Sequence, residues 1–154
     1  MFLFDICAAL SYIALINRTH SFGHTAESFM SAGMKTVLVV EDDEQSQKYM
    51  NILLSREFVV HLAATGQQAW DVLESEAVDL VLMDLSLRNG DDGLQVTRRI
   101  RAGGKNRSIP IIALTAHAFP EDRKRSLEAG CDDYVSKPFQ WAQLRSVMEQ
   151  YLTS

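Results

Sequence analysis

A chain of 154 residues has room for one domain with a substantial apolar core and little else. Its 47% hydrophobic and 23% charged residues exclude a disordered or fibrous polymer, and a net charge of -5 offers no electrostatic basis for direct nucleic-acid binding. The two cysteines, Cys7 and Cys131, have no metal-ligand spacing and make a disulfide framework unlikely, so a reducing cytoplasm is the simpler setting.

Residues 1–33 differ from the rest. Phe2 to Ile16 is mostly apolar but holds Asp5, and it falls short of the roughly 20 apolar residues a spanning helix needs. It also lacks the positive opening of a secretory signal, while His20 to Met34 is polar and without period. Met34 is therefore read as the true start and residues 1–33 as an upstream extension of no defined role. A helix packed on the domain or touching a membrane is the alternative, and membrane association is not the expectation.

From Thr36 onward, short apolar runs alternate with segments of helical spacing. Val37–Val40 reads as a first strand, followed by a helix from Asp43 to Ser55 carrying Tyr49, Met50, Leu53 and Leu54. Phe58–Leu62 is the second strand, and Gly66 to Ser75 the next helix, with Ala69, Trp70, Val72 and Leu73. The third strand, Leu80–Met83, precedes a helix from Leu94 to Arg101 carrying Val96 and Ile100. After Ile111–Leu114 comes a helix from Pro120 to Ala129. It opens on Pro and Glu-Asp and ends at Gly130, all suited to those positions. A short strand around Tyr134-Val135 leads to a last helix from Gln140 to Leu152, expected to bury Leu144, Val147, Met148 and Tyr151. Several runs are continuously apolar, as in parallel strands covered on both faces. Five βα units in about 120 residues imply one doubly wound α/β sandwich.

In such a fold the ligand site lies beyond the carboxyl ends of the strands. Glu41, Asp42 and Asp43 follow the first run, Asp84 ends the third, Thr115 follows the fourth and Lys137 follows the fifth. Three acidic positions, a hydroxyl and an ammonium thus converge on one edge of one sheet. Two carboxylates about 4 Å apart repel by roughly 4 kcal/mol at an effective dielectric near 20, and a cation relieves this. An open, all-oxygen cluster suits Mg²⁺, which shares its shell with water and phosphate. The chemistry within reach is phosphoryl transfer, with Asp84 as nucleophile and Lys137 and Thr115 taking up phosphoryl oxygens. Singly, each residue has a plainer role: the acidic run caps a helix, Asp84 makes a turn, Lys137-Pro138 forms a loop. All four in order at strand ends make coincidence improbable.

The motifs VLVVEDDE, DLVLMDLSL, PIIALTA and DDYVSKPF resemble those of the receiver domain of two-component signalling, over Met34 to Ser154. The resemblance implies a flavodoxin-like (βα)5 fold with five parallel strands in the order 2-1-3-4-5. It implies Asp84 as phosphoacceptor and Mg²⁺ held by Glu41, Asp42, Asp84 and the backbone carbonyl of Ser86. It also implies Thr115 as the switch hydroxyl, Lys137 as the family's lysine and Tyr134 as the aromatic that turns inward when the threonine moves. A half-buried strand tyrosine is the plainer reading of Tyr134. Lys137-Pro138 is similar to the family's cis peptide. The loop Leu85 to Gly93 departs from the pattern, with Arg88 where proline is usual and one extra residue, although Asn89-Gly90 and Asp92-Gly93 still favour turns. Arg88 is within plausible reach of an incoming phosphate, and side chains at Ser86 and His117 are expected to tune dephosphorylation.

By the same resemblance the protein is a phosphoacceptor switch rather than an enzyme, phosphorylated by a histidine kinase or histidine phosphotransfer protein. The first helix, with Gln45, Ser46 and Tyr49, would meet that donor. The Pro120–Ala129 helix, the Tyr134 strand and the final helix would change contacts with a downstream protein not named by the sequence. The chain ends with its last helix, so a single-domain regulator is expected, a receiver of a hybrid kinase being the variant reading. The basic stretches Arg98 to Arg107 and Arg123-Lys124-Arg125 read as solvated helix faces. A dehalogenase-type phosphatase would need an Asp at Ser86, and a P-loop nucleotidase needs a motif absent from the chain. A non-phosphorylated adaptor keeping only the fold is the remaining rival.

Overall fold

The computed structural model describes residues 33–87, 92–116 and 119–152. The expected extension at residues 1–32, Arg88, Asn89, Gly90 and His117 lie outside the described residues. Among the described residues, five strands, β1 (Thr36–Val40), β2 (Val59–Ala63), β3 (Leu80–Asp84), β4 (Ile111–Thr115) and β5 (Asp133–Ser136), alternate with five helices. The helices are α1 (Glu44–Leu54), α2 (Gly66–Ser75), α3 (Gly93–Ala102), α4 (Pro120–Ala129) and α5 (Trp141–Leu152). All neighbouring strands pair in parallel, in the order β2-β1-β3-β4-β5, as the sequence resemblance implies.

Alternation along continuously apolar strands divides the core in two. Leu38, Val40, Val81, Met83, Ile111 and Ala113 face α2 and α3, meeting Ala69, Leu73, Val96 and Ile100. Val37, Val39, Leu80, Leu82, Ile112 and Leu114 face the other way, onto Met50 and Leu54 of α1 and Leu144 and Met148 of α5. β3 and β4 are buried along their whole length, whereas β2, at the sheet edge, leaves Leu62 36% exposed. β2 starts at Val59 rather than Phe58 because the Phe58 amide is still bonded to the Leu54 carbonyl at the end of α1 (3.0 Å), and the Val59 amide is the first to reach across to β1's side, at the Lys35 carbonyl.

Local chemistry sets the helix ends. Asp43 accepts from the Ser46 amide at 2.8 Å and Thr65 from that of Gln68 at 3.2 Å, each satisfying a first-turn N–H. Pro120 opens α4, and Gly130, with φ of 107°, closes it by donating to the Leu127 carbonyl. Thus the first strand's acidic run divides its labour: Asp43 is the cap, leaving Glu41 and Asp42 for other work.

On α1 Met50 and Leu54 turn fully to the sheet, while Tyr49 is 53% exposed, as a residue expected to meet a phosphodonor must be. One expectation needs correction: Arg101 is no solvated charge. Its guanidinium donates to the carbonyls of Gly130 (2.7 Å), Arg107 (3.0 Å) and Ile109 (2.7 Å) and to Asp132 Oδ2 (2.7 Å). Asp132 Oδ2 in turn accepts from the Ile111 amide, so this cluster ties α3 to the openings of β4 and β5. Arg99 and Arg123 likewise lie over aromatic rings, those of Trp70 (4.8 Å) and Tyr134 (5.3 Å).

Candidate phosphoryl-transfer site

β1 and β3 stand side by side at the centre of the sheet, and their carboxyl ends deliver Glu41, Asp42 and Asp84 to one point. Carboxylate oxygens of the three lie within 4.8 Å of one another. Across the sheet, the Lys137 amide donates to the Thr115 carbonyl at 2.7 Å, which carries β5's pairing with β4 one residue beyond the strand. The Lys137–Pro138 bond is cis. From there Lys137 Nζ donates to Glu41 Oε2 at 2.7 Å and to Asp84 Oδ2 at 3.0 Å.

Glu41 and Asp84 are only 3% and 4% exposed, so their charges need partners. Asp84 Oδ1 accepts from the Ser86 amide at 2.9 Å, and Glu41 Oε1 from the Asp43 amide at 3.1 Å. Gln47, which the sequence reading did not single out, donates from Nε2 to the Glu41 carbonyl at 2.5 Å. Only its place one helical turn after the capping Asp43 would have pointed to it. Burial raises the Glu41 carboxyl above its ordinary range, with the Lys137 hydrogen bond pulling against it and the Asp84 charge adding to it. For Lys137 burial acts downward, but the bonds and charges of Glu41 and Asp84 prevail and hold the ammonium above its ordinary range.

A cleft of about 320 Å³ opens over this cluster, lined by Glu41, Asp42, Asp43, Ser46, Asp84, Ser86, Ala116 and Lys137. Four carboxylates, three of them in the close cluster, against one ammonium leave it net negative, and its clustered ligand atoms are all oxygens, the set a hard divalent cation prefers. Thr115 is 4% exposed and opens onto a smaller neighbouring cavity of about 120 Å³, with Ser86, Asp92, Asp122 and Arg125. Tyr134 is half-buried against the α2/α3 core beneath Arg123. The structure therefore gathers Glu41, Asp42, Asp84, Ser86 and Lys137 around one cleft, with Thr115 on the neighbouring cavity and Tyr134 packed against the α2/α3 core.

The family model for the response regulator receiver domain matches residues 37–149. The chain belongs to the response-regulator receiver family. Among curated members, it is 36% identical over 112 residues to the response regulator RppA of Synechocystis, covering 72% of this chain and 47% of RppA. It is 32% identical over 119 residues to the polar-differentiation response regulator DivK of Brucella anthropi, covering 77% of this chain and 96% of DivK. The chain thus spans under half of one such relative and nearly all of another. Among solved structures, the receiver domain of the sensor histidine kinase PA1611 from Pseudomonas aeruginosa is 39% identical, with a TM-score of 0.72. That match covers 79% of this chain and 100% of the other, whose active-site cleft holds a magnesium ion. As a receiver domain the protein is a component of two-component signalling. Among the described residues, no helix is long and apolar enough to cross a membrane.

Proposed function

We propose that this receiver accepts a phosphoryl group on Asp84 from a phosphohistidine of a histidine kinase or histidine phosphotransfer protein, and passes the signal on by changed protein contacts. The observation that carries the reading is the Asp84 carboxylate itself: at a strand end, bordering an oxygen-lined cleft, oriented by the Ser86 amide and Lys137. In the transfer, a carboxylate oxygen of Asp84 attacks phosphorus, a P–O bond forms and the P–N bond to imidazole breaks. The electron pair of the broken bond returns to the imidazole nitrogen, and the product is an acyl phosphate. Lys137 already bonds the nucleophile and is placed to meet a phosphoryl oxygen as charge moves outward. Thr115, buried on the cavity next to the cleft, is the hydroxyl to follow the phosphoryl group, and Tyr134 the ring to follow Thr115.

Mg²⁺ fits the donor set: Glu41, Asp42, Asp84 and the Ser86 carbonyl would hold it, and it would supply neutralisation of phosphoryl charge. In this reading the protein works in the cytoplasm, as a single-domain regulator rather than an enzyme. The near-complete match to DivK supports the single-domain form, and the likeness to PA1611 favours a hybrid-kinase receiver as the second form. The domain would run from residue 34 to 154.

The decisive experiment is intact-mass analysis after incubation with Mg²⁺ and acetyl phosphate. One phosphoryl adduct is expected, lost in Asp84→Ala and in chelator. A folded wild-type protein that takes up no phosphoryl group would overturn the reading in favour of an adaptor.

A further inference from the structure

The geometry assigns Gly93, the first residue of α3, as the positioning residue that holds Asp84 in reactive register; the assignment rests on the functional reading of Asp84. A Cβ on Gly93 would run into the Asp84 carbonyl oxygen and lie 2.9 Å from Leu85 Cα and 3.1 Å from the Asp84 carbonyl carbon. These are backbone atoms, which cannot swing aside as a side-chain tip can. The helix start and the peptide joining Asp84 to Leu85 are therefore in direct contact through the space a side chain would fill.

Both sides of that contact are fixed. On the helix side, the fully buried Thr97 donates from Oγ1 to the Gly93 carbonyl at 2.9 Å, and Asp92 accepts from the Leu94 amide at 2.9 Å. Val96 and Ile100 anchor the same helix in the core. On the strand side, Asp84 is paired with Leu114, and the Leu85 amide donates to the Leu114 carbonyl at 3.0 Å. The Asp84–Leu85 peptide is thus held between β4 and the first turn of α3. The Asp84 carboxylate, on the Cα before this peptide, and the Ser86 amide that orients it, in the peptide after it, flank it directly. A shift there moves nucleophile and orienting group together, and a displacement near 1 Å is enough to slow a positioned reaction by about a hundredfold. The loop of unusual sequence after Asp84 is compatible with an ordered acceptor because its far end returns to the acceptor's own backbone.

The test compares the full-length wild type with Gly93→Ala, Thr97→Val and, as a control destabilised elsewhere, Gly130→Ala. Gly130 has φ of 107°, and a Cβ there would lie 2.7 Å from Arg101 Cγ, far from the cleft in the fold. Three quantities are read per folded molecule: the Mg²⁺ half-saturation, the rate of acetyl-phosphate labelling and the ¹⁵N–¹H shift of Ser86 without any ligand. Gly93→Ala is expected to raise the half-saturation severalfold, slow labelling at least about tenfold and move the Ser86 resonance. Thr97→Val, which puts a methyl in place of the hydroxyl and removes its bond to the Gly93 carbonyl and its contact with Cys131 Sγ, is expected to do the same to a smaller degree. Gly130→Ala should lower stability and leave all three at wild-type values. Wild-type values in folded Gly93→Ala overturn the assignment, as do wild-type values in Thr97→Val if Gly93→Ala does not fold. A wild type that neither binds Mg²⁺ nor is labelled defeats the functional reading instead, and the Ser86 shift then decides the role of Gly93 alone.

Discussion

Glu41, Asp42 and Asp84 hold carboxylate oxygens within 4.8 Å of one another, and gathering like charges opposes folding as surely as it attracts a cation. Lys137 answers part of this repulsion by bonding Glu41 and Asp84. Asp42→Asn is therefore expected to stabilise the protein in chelator by about 1 kcal/mol, read by urea unfolding, while weakening Mg²⁺ binding. Equal or lower stability would show that the cluster carries no repulsive strain. Cys131 offers a second test at this scale. Burial raises its thiol above the ordinary range, with Thr97 and Arg101 acting downward. The folded state thus favours the neutral thiol. Its contribution is fully present below the pKa of the unfolded thiol and is lost as pH rises through the higher folded value. In a Cys7→Ser background, alkylation of Cys131 at pH 8 should require unfolding, and rapid labelling of the native protein would contradict this.

Among the elements, α3 carries the most unexpected duties. Its start touches Asp84, and Arg101 near its end donates to three carbonyls and Asp132 across the chain segments that open β4 and β5. Bonds from a charged donor to buried or half-buried acceptors contribute more than surface ion pairs do. Arg101→Met should lower stability by about 2–3 kcal/mol in chemical denaturation and leave the labelling rate of the remaining folded protein unchanged. A loss below about 0.5 kcal/mol would return Arg101 to the class of solvated charges. The sequence could not distinguish Arg101 from Arg98, since a run of arginines on a helix has the same composition whether one of them is folded inward or none is.

At the scale of the whole molecule, any ion that binds the folded cleft and not the unfolded chain must raise stability by mass action. Mg²⁺ should raise the Tm progressively with concentration, by a free energy of about 2.7 kcal/mol at a hundred times its Kd. Asp84→Ala should reduce the effect sharply, because the cluster loses one of its three carboxylates. A Tm that does not respond to Mg²⁺ in the wild type would sink the metal assignment. The effect is global because the cluster is built from the ends of two central strands, whose alternate residues form both halves of the core.

The sequence by itself determined the alternation of strands and helices and the residues that follow each strand, while the strand order came with the family resemblance. Short apolar runs alternating with helical spacing point to buried parallel strands, and chemically costly residues placed just after them have few reasons to be there. Glu41, Asp42, Asp84 and Lys137 were legible for that reason, and the structure brings all four together. Only the tertiary structure decided which groups support them. The clamp of Gln47 on Glu41, the inward turn of Arg101 and the contact of Gly93 with Asp84 join residues through packing distance and orientation. A linear pattern of residue types records neither, because a glutamine, an arginine or a glycine reads the same until the neighbouring chain is in place.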